Sequence, residues 1–269
     1  LARINGTEVE IVSVKPVEEV VTVTVTEETT VIPDYKSMKK IELEALMREH
    51  NIELDRRKSK ADLLAEVDAL KSLQSKCGCS PDGSFGPNTA RAIVKHYELS
   101  PERGAHLLGQ VVHESGSFKL TRENLNYSAE SMMRVWPSRF PTKESAEPYA
   151  KNPKALADKV YSGRMGNKEG EGHKWIGRGF LQLTGFNNVR SFASDMRLPE
   201  VMDDPTLLEK EYAMDTAIWF FRKNNLWKIC DEGVSDNVIK KLTKKINGGY
   251  TGLDHRIKET NKIYEWVKS

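Results

Sequence analysis

The chain has 269 residues, 38% of them hydrophobic and 30% charged, with a net charge of +2. That balance suits one large globular domain with a smaller one, and excludes a chain too polar to build a core. No apolar run approaches the roughly 20 residues needed to cross a bilayer, and the first residues, Leu1-Ala2-Arg3-Ile4-Asn5-Gly6, carry no signal-peptide apolar region.

Charge is unevenly distributed. Residues 1–99 hold 14 Lys+Arg against 17 Asp+Glu (−3), whereas residues 100–269 hold 27 against 22 (+5). A basic C-terminal part favours a negatively charged matrix as its target. Cys77 and Cys79 are too close for an easy bridge and Cys230 is remote. Metal-ligand spacing is missing, so reduced structural thiols are expected, with no metal and no cofactor.

Residues 1–35 read as an extended, β-rich arm. Glu8–Val14 and Val21–Thr26 alternate with period two and are rich in β-branched residues. Two strands alone bury little, so the arm either finds a partner surface or stays mobile. Residues 36–70 read as two short helices. Ile41, Leu43, Leu46 and Met47 form one apolar face, and Ser59-Lys60-Ala61-Asp62 stands like a capping box before Leu63–Val67. Phosphate binding needs a basic face, and the surroundings of this segment, residues 1–99, are net acidic. A docking role is therefore favoured over nucleic-acid binding.

In Ser80-Pro81-Asp82-Gly83-Ser84-Phe85-Gly86-Pro87-Asn88-Thr89, glycines and prolines mark tight turns around a Phe85 expected to be buried. From residue 100 the chain is helical. Ser100-Pro101, Asn152-Pro153 and Ser235 open helices, Gly163 and Gly248 close them, and Asp204-Pro205 is expected to open a long helix through Phe221. The fold class expected is mainly α, with long functional loops.

The chemistry centres on two glutamates nine residues apart. Glu114 ends the apolar run 105–112, next to His113, and Glu123 follows a Gly/Ser turn in polar sequence. The expectation is one carboxyl packed against apolar side chains and the other nearer water, so that burial keeps a proton on Glu114 while Glu123 is ionised. Glycosidic cleavage needs such a pair, an acid for the leaving oxygen and a base for the water. His113 is read as orienting the site. Most glutamates are ordinary surface residues, so the pair gains its weight from the segments around it. In Gly177-Arg178-Gly179-Phe180-Leu181-Gln182-Leu183-Thr184-Gly185, Gln182 and Thr184 share a face if the segment is extended, where they could hold a water and a sugar amide. Trp175 offers an aromatic cover for a sugar. Ile246-Asn247-Gly248-Gly249 ends a helix and would bring the Asn247 amide into the cleft.

Taken in order, H-E-S, the second Glu, N-Y-S, V-Y-x-x-R-M-G-N, G-R-G-x-x-Q-L-T-G, I-N-G-G and D-x-R resemble glycoside hydrolase family 19, most closely its phage endolysin branch. The resemblance covers roughly residues 71–269. It implies a lysozyme-like helical domain in which Glu114 is the general acid, Glu123 the general base and Thr184 the hydroxyl that helps hold the water. His113, Tyr127, Trp175, Gln182, Asn188 and Asn247 fall on substrate-binding positions, and Arg178 and Arg256 on site-organising ones. It also implies inversion, with carboxyls about 6.5–9.5 Å apart. Residues 36–70 resemble SAP-type helix-extension-helix modules, and residues 71–98 resemble half of a peptidoglycan-binding module. Phe186 and Val189 replace a basic residue and a Tyr usual in the family, and Trp175-Ile176 a more aromatic pair; these bear on substrate detail. The reading implied is a phage-type peptidoglycan hydrolase made in the host cytoplasm and acting on the cell wall, with residues 1–70 available to dock on virion proteins. Its rivals are a chitinase of the same fold, a non-catalytic virion protein and a nucleic-acid binder.

Overall fold

The computed structural model describes residues 69–269, the strand backbone of Ala2–Ile4 and Thr7–Val9, and residues 39–40. The chain divides into two compact units, Leu1–Pro33 and Asp34–Ser269. In the first, β1 (Ala2–Ile4) pairs antiparallel with β2 (Thr7–Val9), Ala2 opposite Val9. Thr7–Val9 overlaps the start of the first alternating run, and Ala2–Ile4 adds a strand that the alternation did not mark. The second run, Val21–Thr26, and the apolar face and capping box of 36–70 lie outside the described residues.

The second unit is helical. After a helical stretch at 69–76 come α1 (Pro87–His96), α2 (Pro101–Glu114), α3 (Ala129–Val135), α4 (Lys143–Ala146), α5 (Pro153–Tyr161), α6 (Phe186–Met196), α7 (Glu200–Asp203), α8 (Ala213–Lys223), α9 (Trp227–Cys230), α10 (Asp236–Asn247) and α11 (Leu253–Val267). The fold class is mainly α, as the capping signals predicted. Among the described residues, no helix is long and apolar enough to cross a membrane.

Helix α2 is the axis of the main core. Ser100 caps it by accepting from the Arg103 amide, with Pro101 at its first turn, an arrangement worth about 1 kcal/mol. Every residue from Gly104 to Val112 is buried, which marks a helix enclosed on all sides. Its chief partner is α11. At their closest approach Gly109 faces Thr260, and a Cβ on Gly109 would overlap the Thr260 backbone and side chain. Leu107, Leu108 and Val111 share this core with Ile93, Phe118, Phe180, Ala217, Phe221 and Ile263. A second core joins α3, α4 and α5, and a third surrounds α6 and Trp219.

The Pro81–Thr89 turns are gathered around one buried amide. Gln74 Nε2 donates to Asp82 Oδ1 (2.7 Å), the Ser84 carbonyl (2.9 Å) and Thr89 Oγ1 (2.9 Å), and its Oε1 accepts from the Gly83 amide. Phe85 is half-buried and not fully buried as expected, because it packs at the core margin on Phe118 and Trp266.

The long helix expected from Asp204-Pro205 is two elements. Asp204 caps only a 3-10 turn, Pro205–Glu209, and α8 starts at Ala213. Side-chain partners pin the break: Glu209 turns to Arg178 (2.8 Å), and the Tyr212 hydroxyl donates to Glu200 (2.6 Å).

Candidate active site

Glu114 is the last residue of α2. Its Oε1 accepts from Arg256 Nη2 at 2.6 Å. Arg256, on α11, is fully buried, and its other nitrogens donate to Gln110 Oε1 (2.5 Å) and the Thr251 carbonyl (3.1 Å). A buried guanidinium needs such full pairing. The Glu114 side chain keeps 27% of its exposure. The expected setting, a carboxyl walled in by apolar groups, is therefore corrected. Val111 and Val112 point into the core, while the end of the helix lies within reach of a cation delivered from 142 residues away.

His113 sits beside this pair, its Nδ1 3.1 Å from His255 Nδ1, with the two rings 5.1 Å apart. Burial, then the Arg256 and His255 charges, hold the His113 imidazole below its ordinary value, with Glu114 pulling the other way.

Glu123 is held by neutral donors. The Tyr161 hydroxyl donates to Oε1 (2.7 Å) and the Gly177 amide to Oε2 (3.2 Å). The Glu123 amide donates back to the Gly177 carbonyl at 2.9 Å. Burial, and then the bond to Glu123, raise the Tyr161 phenol and keep it protonated as a donor. Tyr161 and Gly177 lie within the quoted motifs V-Y-x-x-R-M-G-N and G-R-G, but nothing in their spacing singles them out as carboxylate holders.

Gln182 and Thr184 do converge, though not by sharing a strand face. Gln182 is in the left-handed region at φ 53°, and Leu183 and Arg178 exchange both backbone bonds (2.7 and 3.1 Å) to close a tight turn. Both side chains then fold over Gly177, where a Cβ would come 2.8 Å from Gln182 Oε1 and 3.2 Å from Thr184 Oγ1. The lack of a side chain at Gly177 is what lets Glu123, Gln182 and Thr184 gather there. Thr184 Oγ1 donates to the Gln182 carbonyl (2.8 Å), which leaves its lone pairs free to accept. Asn188, on α6, donates from Nδ2 to the Thr184 carbonyl at 2.8 Å.

The two walls are joined by the segment between the glutamates. Ser115 is buried and stitches the helix end, accepting from the Phe118 amide (2.8 Å) and donating to the Val111 carbonyl (2.6 Å). Gly116, Ser117 and Phe118 all have positive φ (56°, 62°, 68°), a left-handed turn that costs roughly 1–2 kcal/mol at each non-glycine residue. Phe118 anchors the turn against Phe180, and the Gly179 amide then donates to the Thr121 carbonyl at 2.8 Å.

Other sequence-predicted residues lie further out. Tyr127 is half-buried against Trp136, ring centroids 5.1 Å apart. Asn247 is exposed at the end of α10. Arg178 is buried and donates to Glu209 (2.8 Å) and the Lys174 carbonyl (2.7 Å), which braces the turn from behind and makes no contact with either catalytic candidate. Trp175 is a correction. Only 5% exposed, it packs edge-on against Phe186 in the third core and has no face to offer a sugar. Its aromaticity was legible in the sequence; the wall of Leu183, Val189 and Trp219 around it was not. Among the described residues no three His, Cys, Asp or Glu side chains cluster with metal-binding geometry.

No family model matches this chain. A curated relative, a glycosyl hydrolase family 19 domain-containing protein of Haemophilus influenzae (strain Rd), is 34% identical over 157 residues, covering 57% of this chain and 74% of the relative. The chain belongs to glycoside hydrolase family 19. It is a glycosidase of the chitinase/lysozyme-like kind, and the paired, separately braced carboxylates suit a family that hydrolyses glycosidic bonds. Its two candidate carboxylates are held by different parts of the fold, Glu114 by the α2–α11 contact and Glu123 by the Gly177–Gly185 turn.

Proposed function

We propose that this family 19 glycosidase is a phage-type peptidoglycan hydrolase, cleaving β-1,4 bonds between amino sugars by single displacement. The observation that carries the reading is that two carboxylates are held by separate supports, Glu114 by the buried Arg256 and Glu123 by Tyr161 and the Gly177 amide; the roles of acid and base follow their places in the family 19 motif order. Glu114 is the acid. It gives a proton to the leaving oxygen, and Arg256 stabilises the carboxylate charge that develops as the proton departs. Glu123 is the base. Tyr161 and the Gly177 amide each occupy one lone pair of its carboxylate, fixing its plane and leaving others to take a proton from water. Thr184 accepts a hydrogen bond from that water, and Gln182 lies beside it. Inversion follows when water attacks from the face opposite the leaving group.

The basic character of residues 100–269 (27 Lys+Arg against 22 Asp+Glu) supports an anionic wall polymer over neutral chitin. Residues 1–70 serve for docking, on the virion or on another wall component. The test is mass spectrometry of purified peptidoglycan after digestion. Fragments with muramic acid at the reducing end are expected. Glucosamine reducing ends would make the protein a glucosaminidase, and products from chitin alone would make it a chitinase.

A further inference from the structure

We propose that the outer face of α10 is a docking strip for carboxylate-bearing glycan strands, continuous with the cleft. This rests on the peptidoglycan reading above and names the chemistry by which the polymer is held beyond the cleaved bond. Helix α10 buries Val238, Ile239, Leu242 and Thr243 and turns Lys240, Lys241, Lys244 and Lys245 to solvent. These four form two like-charged pairs at i,i+4, an arrangement that by itself destabilises a helix by a few tenths of a kcal/mol per pair. Lys241 is neutralised by Glu232 at 2.6 Å. For Lys240, Lys244 and Lys245 no acidic side chain lies within ion-pair distance among the described residues. The helix dipole explains Lys244 and Lys245 in the last turn. It does not explain Lys240, a full turn earlier.

A second feature lies at the same place. Tyr250 is 46% exposed, a large ring left in water. Lys240 Nζ stands 5.2 Å and Lys244 Nζ 6.0 Å from its centroid. Two ammonium groups are thus gathered at one aromatic ring, a surface that complements a glycan whose apolar sugar faces lie beside carboxylate-bearing peptide stems. The position favours that polymer. Helix α10 runs through Asn247 into the 248–252 loop, where the Thr251 carbonyl accepts from Arg256, the cation that holds Glu114. Gly252 lies directly against the His113 ring. The loop that carries Tyr250 is thus tied to the residues around Glu114, and the helix that leads into it carries Asn247 and the lysines.

The experiment compares the full chain with a Lys240→Glu/Lys244→Glu/Lys245→Glu variant of unchanged melting temperature. Sedimentation binding is measured on purified sacculi freed of phosphate polymers, on the same sacculi with carboxylates amidated, on chitin and on duplex DNA. The expected result is roughly tenfold weaker binding to native sacculi for the variant. A similar loss is expected for the parent on amidated sacculi, and in about 0.5 M salt, where screening is short-ranged. Chitin binding should be equal for parent and variant. Equal binding of parent and variant to native sacculi overturns the proposal, as does undiminished binding to amidated sacculi. Tighter lysine-dependent binding to DNA than to sacculi replaces it with a nucleic-acid surface. Lysine-dependent binding without hydrolysis would leave the docking strip standing and remove the peptidoglycan-hydrolase reading.

Discussion

In one support, Glu114 ends a 14-residue helix whose central turns are wholly buried, and its partner Arg256 comes from a second core helix. In the other, Glu123 stands in irregular backbone and is held by a phenol and a peptide amide across a tight turn. The first support draws its rigidity from packing. The second draws it from hydrogen bonds between loops, made possible by Gly177 and by the left-handed Gln182. The same side chain is thereby given two electrostatic settings, a cation on one wall and neutral donors on the other. Burial alone does not separate them, since both are half-buried.

The sharpest way to break this comparison is to remove the carboxylates. Glu114→Gln and Glu123→Gln should each lower wall hydrolysis on the order of 10²–10⁴-fold, read as reducing-sugar release; Glu123→Gln should keep a melting temperature close to the parent, whereas Glu114→Gln should lower it, because the buried Arg256 loses its anionic partner. An active Gln variant at either position sinks its assigned role.

Removing the supports should separate the two walls. Arg256→Met leaves the buried Gln110 Oε1 without its donor and Glu114 without its cation. A stability loss of about 2–3 kcal/mol is expected by denaturant titration, together with a large loss of activity. Tyr161→Phe removes one donor from Glu123 and should slow turnover about tenfold while costing about 1 kcal/mol or less. If Tyr161→Phe destabilised the protein as much as Arg256→Met, the distinction between a packed wall and a hydrogen-bonded wall would not hold.

Much of the first wall was legible in the sequence. Ser100-Pro101 announced the start of α2, and the run from Ala105 to Val112 announced its burial. Arg256 was placed as an organising residue by its motif, but its bond to Glu114 crosses 142 residues, and no local pattern encodes that distance. The second wall was less legible. Gln182 and Thr184 were named correctly as neighbours for an incorrect reason, because a positive φ at Gln182 converts an apparent strand into a turn. Trp175 failed in the opposite sense: its chemistry suited a sugar, but its neighbours took the ring into the core. Tyr161 went unassigned because a tyrosine at the end of an amphipathic helix reads as packing.

Two smaller effects refine the comparison. Ser117 lies exposed in the left-handed turn between the glutamates, so Ser117→Gly should stabilise by about 1 kcal/mol or less, seen as a raised melting temperature. A fall would mean that the turn is not strained. Acidification should act on the packed wall. Burial, above all, holds His106 and His113 below the ordinary imidazole value. Their contribution to stability is complete above about 6.5 and is lost as pH falls through it toward the lower folded-state values. The melting temperature should therefore decline modestly between neutral pH and about pH 5, and a rise over that interval would contradict the environment described for these rings.

The central claim is that Glu123 activates a water and does not itself attack the sugar. Proton NMR of the first product released from a β-linked amino-sugar substrate tests this most directly. The account predicts the α-anomer, formed by inversion; an initial β-anomer would show retention and contradict it.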